Sequence, residues 1–453
     1  MNASVGVGRA RRRFGSAILC GALLALGACG GGGGGGSTGG STAVVAQTTP
    51  IAVDGGPANA LNVGFVSVTV CTPGTASCQT IDHVMLDTGS TGLRLVASVL
   101  SGSLALPAET DGTGNPLREC YAYVTSYVWG SMVSADVSIA GQKQANFPVH
   151  LIGDAAAGTP AAQCTSIANS DFASFINQPS ATSTLTDTVA LFGANGILGV
   201  SPAGAQDCGS YCAPGSTEPP SALANFYYSC PTSTTCAPTT VALNRQASNL
   251  IALLGSGQVN GITIALPAVA APGAASASGT LTLGVSTNAS NTPPASAKFY
   301  GLDPYSMFAT QYNGSSYLGV VDSGTALYLF SDGTITSCAV GSSIELFCPA
   351  STVPLTATFS ETVDVIHARG TTGTVDFSIQ NYNNVPATDA VVPDIGTPCG
   401  LYLTGTCYPA TATTPTQSLP YFIWGLPFHL GRTIYVVYSG TTAGGVQGPA
   451  VGF

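Results

Sequence analysis

Val84-Met85-Leu86-Asp87-Thr88-Gly89-Ser90 and Leu318-Gly319-Val320-Val321-Asp322-Ser323-Gly324-Thr325 are two versions of one pattern. In each, an apolar run that reads as a buried strand ends on Asp, followed by a hydroxyl residue, glycine and a second hydroxyl residue. An apolar-apolar-Gly element then follows each at a similar distance. In the first half it is Ile197-Leu198-Gly199, whose glycine lies 112 residues after Asp87 (199 − 87). In the second it is Ile423-Trp424-Gly425, with its glycine 103 residues after Asp322 (425 − 322). Unrelated loops have no reason to repeat both the element and its spacing, so the chain reads as two related halves.

Each position in the pattern has a physical use. A strand delivers Asp87 or Asp322 to a tight turn. The hydroxyl of Thr88 or Ser323 can bond across to the other copy and lock the two turns together. Gly89 and Gly324 let the backbone turn without a Cβ and leave room beside a carboxylate. Ser90 and Thr325 can donate to the outer carboxylate oxygens. Gly199 and Gly425 permit a close passage of the later strand. Two such units, face to face, place two carboxylates in one site.

The rest of the chain is read as strands. Val66-Ser67-Val68-Thr69-Val70, Thr280-Leu281-Thr282-Leu283 and Val375-Asp376-Phe377-Ser378-Ile379 alternate with period two between turn residues. Helical signals are few: Asp171 to Gln178, and Gln246 to Leu254 before Gly255. The stretch 202–240, rich in Pro, Ser and Cys, reads as an inserted loop. The fold class is therefore mainly β. Of 453 residues only 7% are charged, with 11 basic and 21 acidic. Four of the basic ones, Arg9, Arg11, Arg12 and Arg13, precede position 14, and the other seven (11 − 4) are scattered. Nucleic-acid binding, which needs clustered cations, is excluded.

The two Asp-[Ser/Thr]-Gly-[Ser/Thr] turns with both glycine strands resemble the pepsin-like aspartic peptidases. Val63-Gly64-Phe65, Asn195-Gly196-Ile197-Leu198-Gly199-Val200, Ser278-Gly279-Thr280-Leu281-Thr282-Leu283-Gly284 and the closing Val451-Gly452-Phe453 are similar to segments of that family. The resemblance implies a bilobal pepsin-like double β-barrel with an active-site cleft between the lobes. It implies Asp87 and Asp322 as the joint catalytic pair, a peptide or protein substrate in an extended conformation, a water nucleophile, no cofactor and no metal. Tyr127-Val128-Trp129-Gly130-Ser131-Met132 resembles the family's covering flap, which points to Tyr127, with Trp129 and Tyr123 as rivals. Where the family usually carries Trp after the first turn, this chain has Arg94. A cation there can either lower the pKa of the pair or simply pair with a surface acid.

The N-terminus reads as an address. Basic residues precede an apolar stretch, Ala17 to Leu26, that is too short to span a bilayer, which takes about 20 residues. Leu26-Gly27-Ala28-Cys29 resembles the lipobox of bacterial lipoproteins, and the whole combination is similar to a family of such lipoproteins with two Asp-[Ser/Thr]-Gly turns. That implies lipidation at Cys29, membrane attachment through the lipid, and an outer-membrane, periplasmic or cell-surface location. Gly30 to Gly36, then Ser and Thr, read as a flexible tether. The expected organisation is a signal over 1–29, a tether over 30–55, a first lobe over 56–245 with its insertion at 202–240, and a second lobe over 246–453, acting as a monomer.

An exported chain reads its cysteines as disulfides. Removing Cys20 and Cys29 leaves twelve of fourteen (14 − 2). Close pairs are Cys71/Cys78, Cys338/Cys348 and Cys399/Cys407, with Cys120/Cys164 as a longer bridge. Cys208, Cys212, Cys230 and Cys236 allow three connectivities. A zinc site is the rival for those four, without the paired CxxC spacing or a nearby His. His83, His150, His367 and His429 form no ligand pair, and no phosphate-binding loop with its G-K-[ST] is present. Two alternatives stand beside the peptidase: the same fold as an inactive binding module, and a carboxylate-pair glycosidase.

Overall fold

The computed structural model describes residues 47–176, 182–254, 259–340, 344–364, 367–398 and 420–453. The expected signal, Cys29, the tether over 30–46, Cys399 and Cys407 lie outside them.

Alternation in the sequence becomes alternation in burial. Along the strand Gly64–Cys71, Val66, Val68 and Val70 are buried while Ser67 is exposed. Val375 and Phe377 are buried between exposed or half-buried neighbours, and Ile379 is buried on the same face. Such one-sided strands must cover their apolar faces, and they do so in two main sheets. The protein is mainly β, with one Asp motif carried by each of the two main sheets, as the paired motifs lead one to expect.

The larger sheet has sixteen strands and the smaller seven. Cys78–Asp87 forms a hairpin with Gly64–Cys71, and Leu117–Ala122, Ser126–Ile139 and Gln142–Ile152 form a meander. The larger sheet continues into the second half through Ala277–Leu283, Gly261–Ala265, Thr433–Val437 and Ala450–Gly452. The seven-stranded sheet carries the second site strand, Ser315–Val321. Its core is aromatic: Trp424 stacks on Phe422 at 4.2 Å between ring centroids, and Phe422 stacks on Phe330 at 4.9 Å.

Four local expectations need correction. The expected tether over 30–55 contains a strand, Thr48–Val53, paired along its length with Ala277–Leu283 and at its end with Gly64–Cys71. Its Ile51 and Val53 are buried, and that apolar pair is what holds it. The helix expected at Asp171 begins at Ala162 instead. Between Gln246 and Leu254 only Leu250–Leu253 is helical, capped by Asn249, whose side chain accepts from the N–H groups of Ile251 and Ala252. The preceding residues stay extended because the Gln246 amide donates to the carbonyls of Gly209 and Val241, which docks them on the insertion. The insertion itself is not merely a loop. Its strand Tyr227–Ser229 pairs with Leu117–Ala122.

Candidate active site

Both Asp turns are positioned by the same three-strand arrangement. Cys78–Asp87 runs parallel to Gly196–Val200 with Asp87 opposite Gly199, and Thr91–Val96 returns antiparallel on the other side of that strand. In the second half, Ser315–Val321 runs parallel to Tyr421–Trp424 with Val321 opposite Trp424, and Tyr328–Phe330 returns antiparallel beside it. The Asp322 N–H donates to the Trp424 carbonyl at 3.0 Å. A Cβ on Gly199 would lie 2.8 Å from the Ser90 carbonyl oxygen, so the close passage requires glycine there.

The turns are locked to each other by four reciprocal hydrogen bonds. Thr88 Oγ1 donates to the Val321 carbonyl (2.9 Å), and Ser323 Oγ donates to the Leu86 carbonyl (2.8 Å). In return the Thr88 N–H donates to Ser323 Oγ (3.1 Å) and the Ser323 N–H to Thr88 Oγ1 (3.0 Å). Each hydroxyl thus accepts from the opposite backbone and donates to it, and buried polar groups satisfied on both sides fix a single geometry. Asn62, which no motif singles out, adds a second cross-link. Its side chain donates to the carbonyls of Ala326 and Val392 and accepts from the Val392 N–H at 2.7 Å.

Around the carboxyls the halves are again alike. Asp87 Oδ1 accepts from the Gly89 N–H (2.8 Å) and Oδ2 accepts from Ser90 Oγ. Asp322 Oδ1 accepts from the Gly324 N–H (2.8 Å) and Oδ2 from Thr325 Oγ1 (2.7 Å). The two carboxyls hydrogen-bond to one another, and both are fully buried. Burial raises the pKa of Asp87, against the hydrogen bonds from Asp322, Ser90 and Gly89 that lower it. Burial also raises Asp322 well above the ordinary carboxylate value, reinforced by the charge of Asp87. A carboxyl pair in contact and out of water holds one proton between its members.

Arg94 does not join this pair. It is fully buried and forks onto Glu119, with Nε to Oε2 at 3.0 Å and Nη2 to Oε1 at 2.6 Å. Its charge is the smallest of the influences acting on Asp87. The partners Glu119 and Asp207 were not anticipated. The available signal was the adjacent charges Arg118 and Glu119 inside an otherwise apolar strand of a chain that is only 7% charged.

The hairpin expected to act as the flap is present, but the residues singled out on it face the wrong way. Side chains alternate along a strand, and Tyr127 and Trp129 point outward into a cluster with Cys120, Cys164, Ala168 and Tyr228. Trp129 Nε1 donates to the Ala157 carbonyl there. Tyr121 and Tyr123 occupy the inward face, where the charges of both Arg94 and Asp87 act on their hydroxyls. Tyr123, named only as a rival, has a buried hydroxyl with no partner among the described residues and packs against Tyr121 and Phe192. Val124, at the tip, belongs to an apolar cluster built otherwise from Leu61 and second-half residues such as Met307, Leu327 and Ile423.

Among the described residues the cysteines close five bridges: Cys71–Cys78, Cys120–Cys164, Cys208–Cys212, Cys230–Cys236 and Cys338–Cys348. The insertion therefore adopts the sequential connectivity, one of the three the sequence left open. Among the described residues no group of three His, Cys, Asp or Glu side chains is placed to hold a metal. No helix among them is long and apolar enough to cross a membrane. Several disulfides in one chain point to an oxidising, non-cytoplasmic compartment.

Comparison with known proteins gives three findings. Residues 43–453 match a family model described as "Protein of unknown function (DUF3443)". The aspartic proteinase from Irpex lacteus is similar in structure with a TM-score of 0.46 and 15% identity, over 90% of this chain and 96% of that one. No curated protein matches.

Proposed function

The chain belongs to the DUF3443 family, and for this member we propose an aspartic-type endopeptidase that is exported and lipid-anchored through Cys29. The observation that carries the proposal is the Asp87/Asp322 pair. Two buried carboxyls share a hydrogen bond, each is held by a glycine N–H and a hydroxyl, and the turns are pinned by Thr88 and Ser323. In the working state one member is ionised and takes a proton from water, while the other donates its proton to the peptide carbonyl oxygen as the tetrahedral intermediate forms. No covalent enzyme intermediate is needed. With both carboxyls fully buried, substrate reaches them only when the cover opens, and closure then keeps bulk water out. A glycosidase needs its carboxyls about 5 Å apart or more, whereas these two bond directly.

Asp87→Asn and Asp322→Asn should each lower cleavage of a mixed peptide library by about a thousandfold or more with circular dichroism unchanged. Full activity in either variant would remove the mechanism. Complete burial of the pair favours a second reading, a surface lipoprotein that binds without cleaving. Binding of a statine-type transition-state mimic between acidic and neutral pH separates the two, because the inactive reading predicts none.

A further inference from the structure

We propose that Arg94 is a positioning residue that clamps the hairpin of Leu117–Ala122 and Ser126–Ile139, together with the Cys-rich insertion, to the strand that follows the Asp87 turn. Three separate parts of the chain meet on its guanidinium, and a fourth joins them through Glu119. From its own strand, the Thr91 carbonyl accepts from Nη1 at 2.8 Å. From the hairpin, Glu119 takes the fork and the Tyr121 ring lies flat against the cation, 3.6 Å from Cζ to centroid. From the insertion, Asp207 Oδ2 accepts from Nη2 at 3.2 Å. From the neighbouring strand, His150, the register partner of Arg94, brings Nδ1 to 2.7 Å from Glu119 Oε2. The insertion is tied in again by Tyr227, whose hydroxyl donates to Asp207 Oδ1 (2.8 Å) and accepts from the Ala247 N–H (2.7 Å).

The arrangement makes sense as geometry rather than as adhesion. A buried ion pair loses its hydration, and an apolar replacement of similar volume stabilises about as well. A guanidinium supplies what apolar packing does not: a planar fork that fixes Glu119 in distance and angle while its face supports Tyr121. Glu119 and Tyr121 are two residues apart on one strand and so share its inward face, the face that also carries Tyr123. The clamp therefore sets where the inward tyrosines stand relative to Asp87.

The catalytic consequence rests on the peptidase reading; the clamp itself does not. Arg94→Lys keeps the charge and loses the fork and the stacked face. In that variant, amide hydrogen exchange over residues 118–125 should speed up by about tenfold or more, while the strands around Asp322 keep their protection. On a cleaved peptide, kcat should fall about tenfold or more with KM changed by less than about threefold. If Arg94→Lys does not fold, Glu119→Gln, which keeps the shape of the partner, should show the same local loosening. Unchanged exchange in the hairpin, or loosening spread evenly over the whole molecule, would overturn the proposal. Absence of cleavage by the wild type would defeat the peptidase reading alone, since the exchange measurement still decides the clamp.

Discussion

At Gly324 an added methyl would sit 2.5 Å from Asp87 Oδ1, and at Gly89 it would sit 2.8 Å from Asp322 Oδ1. Each glycine of the turns is thus shaped around the carboxyl of the opposite half, not around its own. Gly324→Ala should push the carboxyls apart and abolish binding of a statine-type mimic, while the melting temperature falls only by a few degrees, corresponding to about 1–3 kcal/mol. Retained binding would show that the carboxyls need not touch. The pair also sets a pH dependence. Both pKa values are raised above 3.8, by burial first. The activity profile should therefore be a bell with both limbs above the ordinary carboxylate value, and full activity near pH 3 would contradict it. In stability, an acid that holds its proton more tightly when folded stabilises the fold fully below its unfolded pKa. That contribution fades as pH rises towards the folded value. Asp322→Asn should accordingly raise the melting temperature more at pH 7 than at pH 3. The Asp turns were legible because the residues that shape each one are contiguous and occur twice. Arg94 was legible only as a departure, because its partners lie 25 and 113 positions away, where no local pattern points.

At the scale of elements, the hairpin shows what a motif conveys and what it omits. The run Tyr127-Val128-Trp129 marked the element correctly, but facing depends on register, and a shift of one residue exchanges the two sides of a strand. Pairing of Cys120 with Trp129 and Ala122 with Tyr127 turns both aromatics outward. The two faces should dissociate on mutation. Trp129→Ala leaves a hole in the outer cluster and should cost about 3–5 kcal/mol while sparing the chemistry of the folded fraction. Tyr123→Phe removes a hydroxyl that no group among the described residues satisfies, so stability should hold or rise by up to about 1 kcal/mol, with kcat reduced. The reverse pattern would return the covering role to Tyr127 or Trp129. Among helices, the Gln246 to Leu254 signal was sound in composition, yet the Gln246 side chain is used to bond the insertion, and tertiary contacts overrode the local preference.

At the scale of the molecule, two halves meet at the Thr88–Ser323 lock, at Asn62 and at the strand Thr48–Val53. The β class and the two-fold plan were readable because both rest on repeated periodicities. The bridging strand was not, because a short Thr-Pro-Ile-Ala-Val segment after a glycine run has the composition of a linker and gains its structure only by pairing with Ala277–Leu283 and Gly64–Cys71. Deletion through Val53 would uncover the edges of both partner strands and remove buried Ile51 and Val53, worth about 1.5–3 kcal/mol each. The melting temperature should drop clearly, and an unchanged value would make the strand dispensable.

That strand is also the first described stretch of the chain, and six register pairs from Thr48↔Thr282 to Val53↔Ala277 hold it in place. Ladder bonds lie across the strand axis, so traction on the preceding chain along that axis loads them side by side in shear. Peeling would break them one after another. A pull on the chain before Thr48 is thus resisted by a seam common to both halves, and the mechanical load arrives between the two aspartates' scaffolds without passing through either turn.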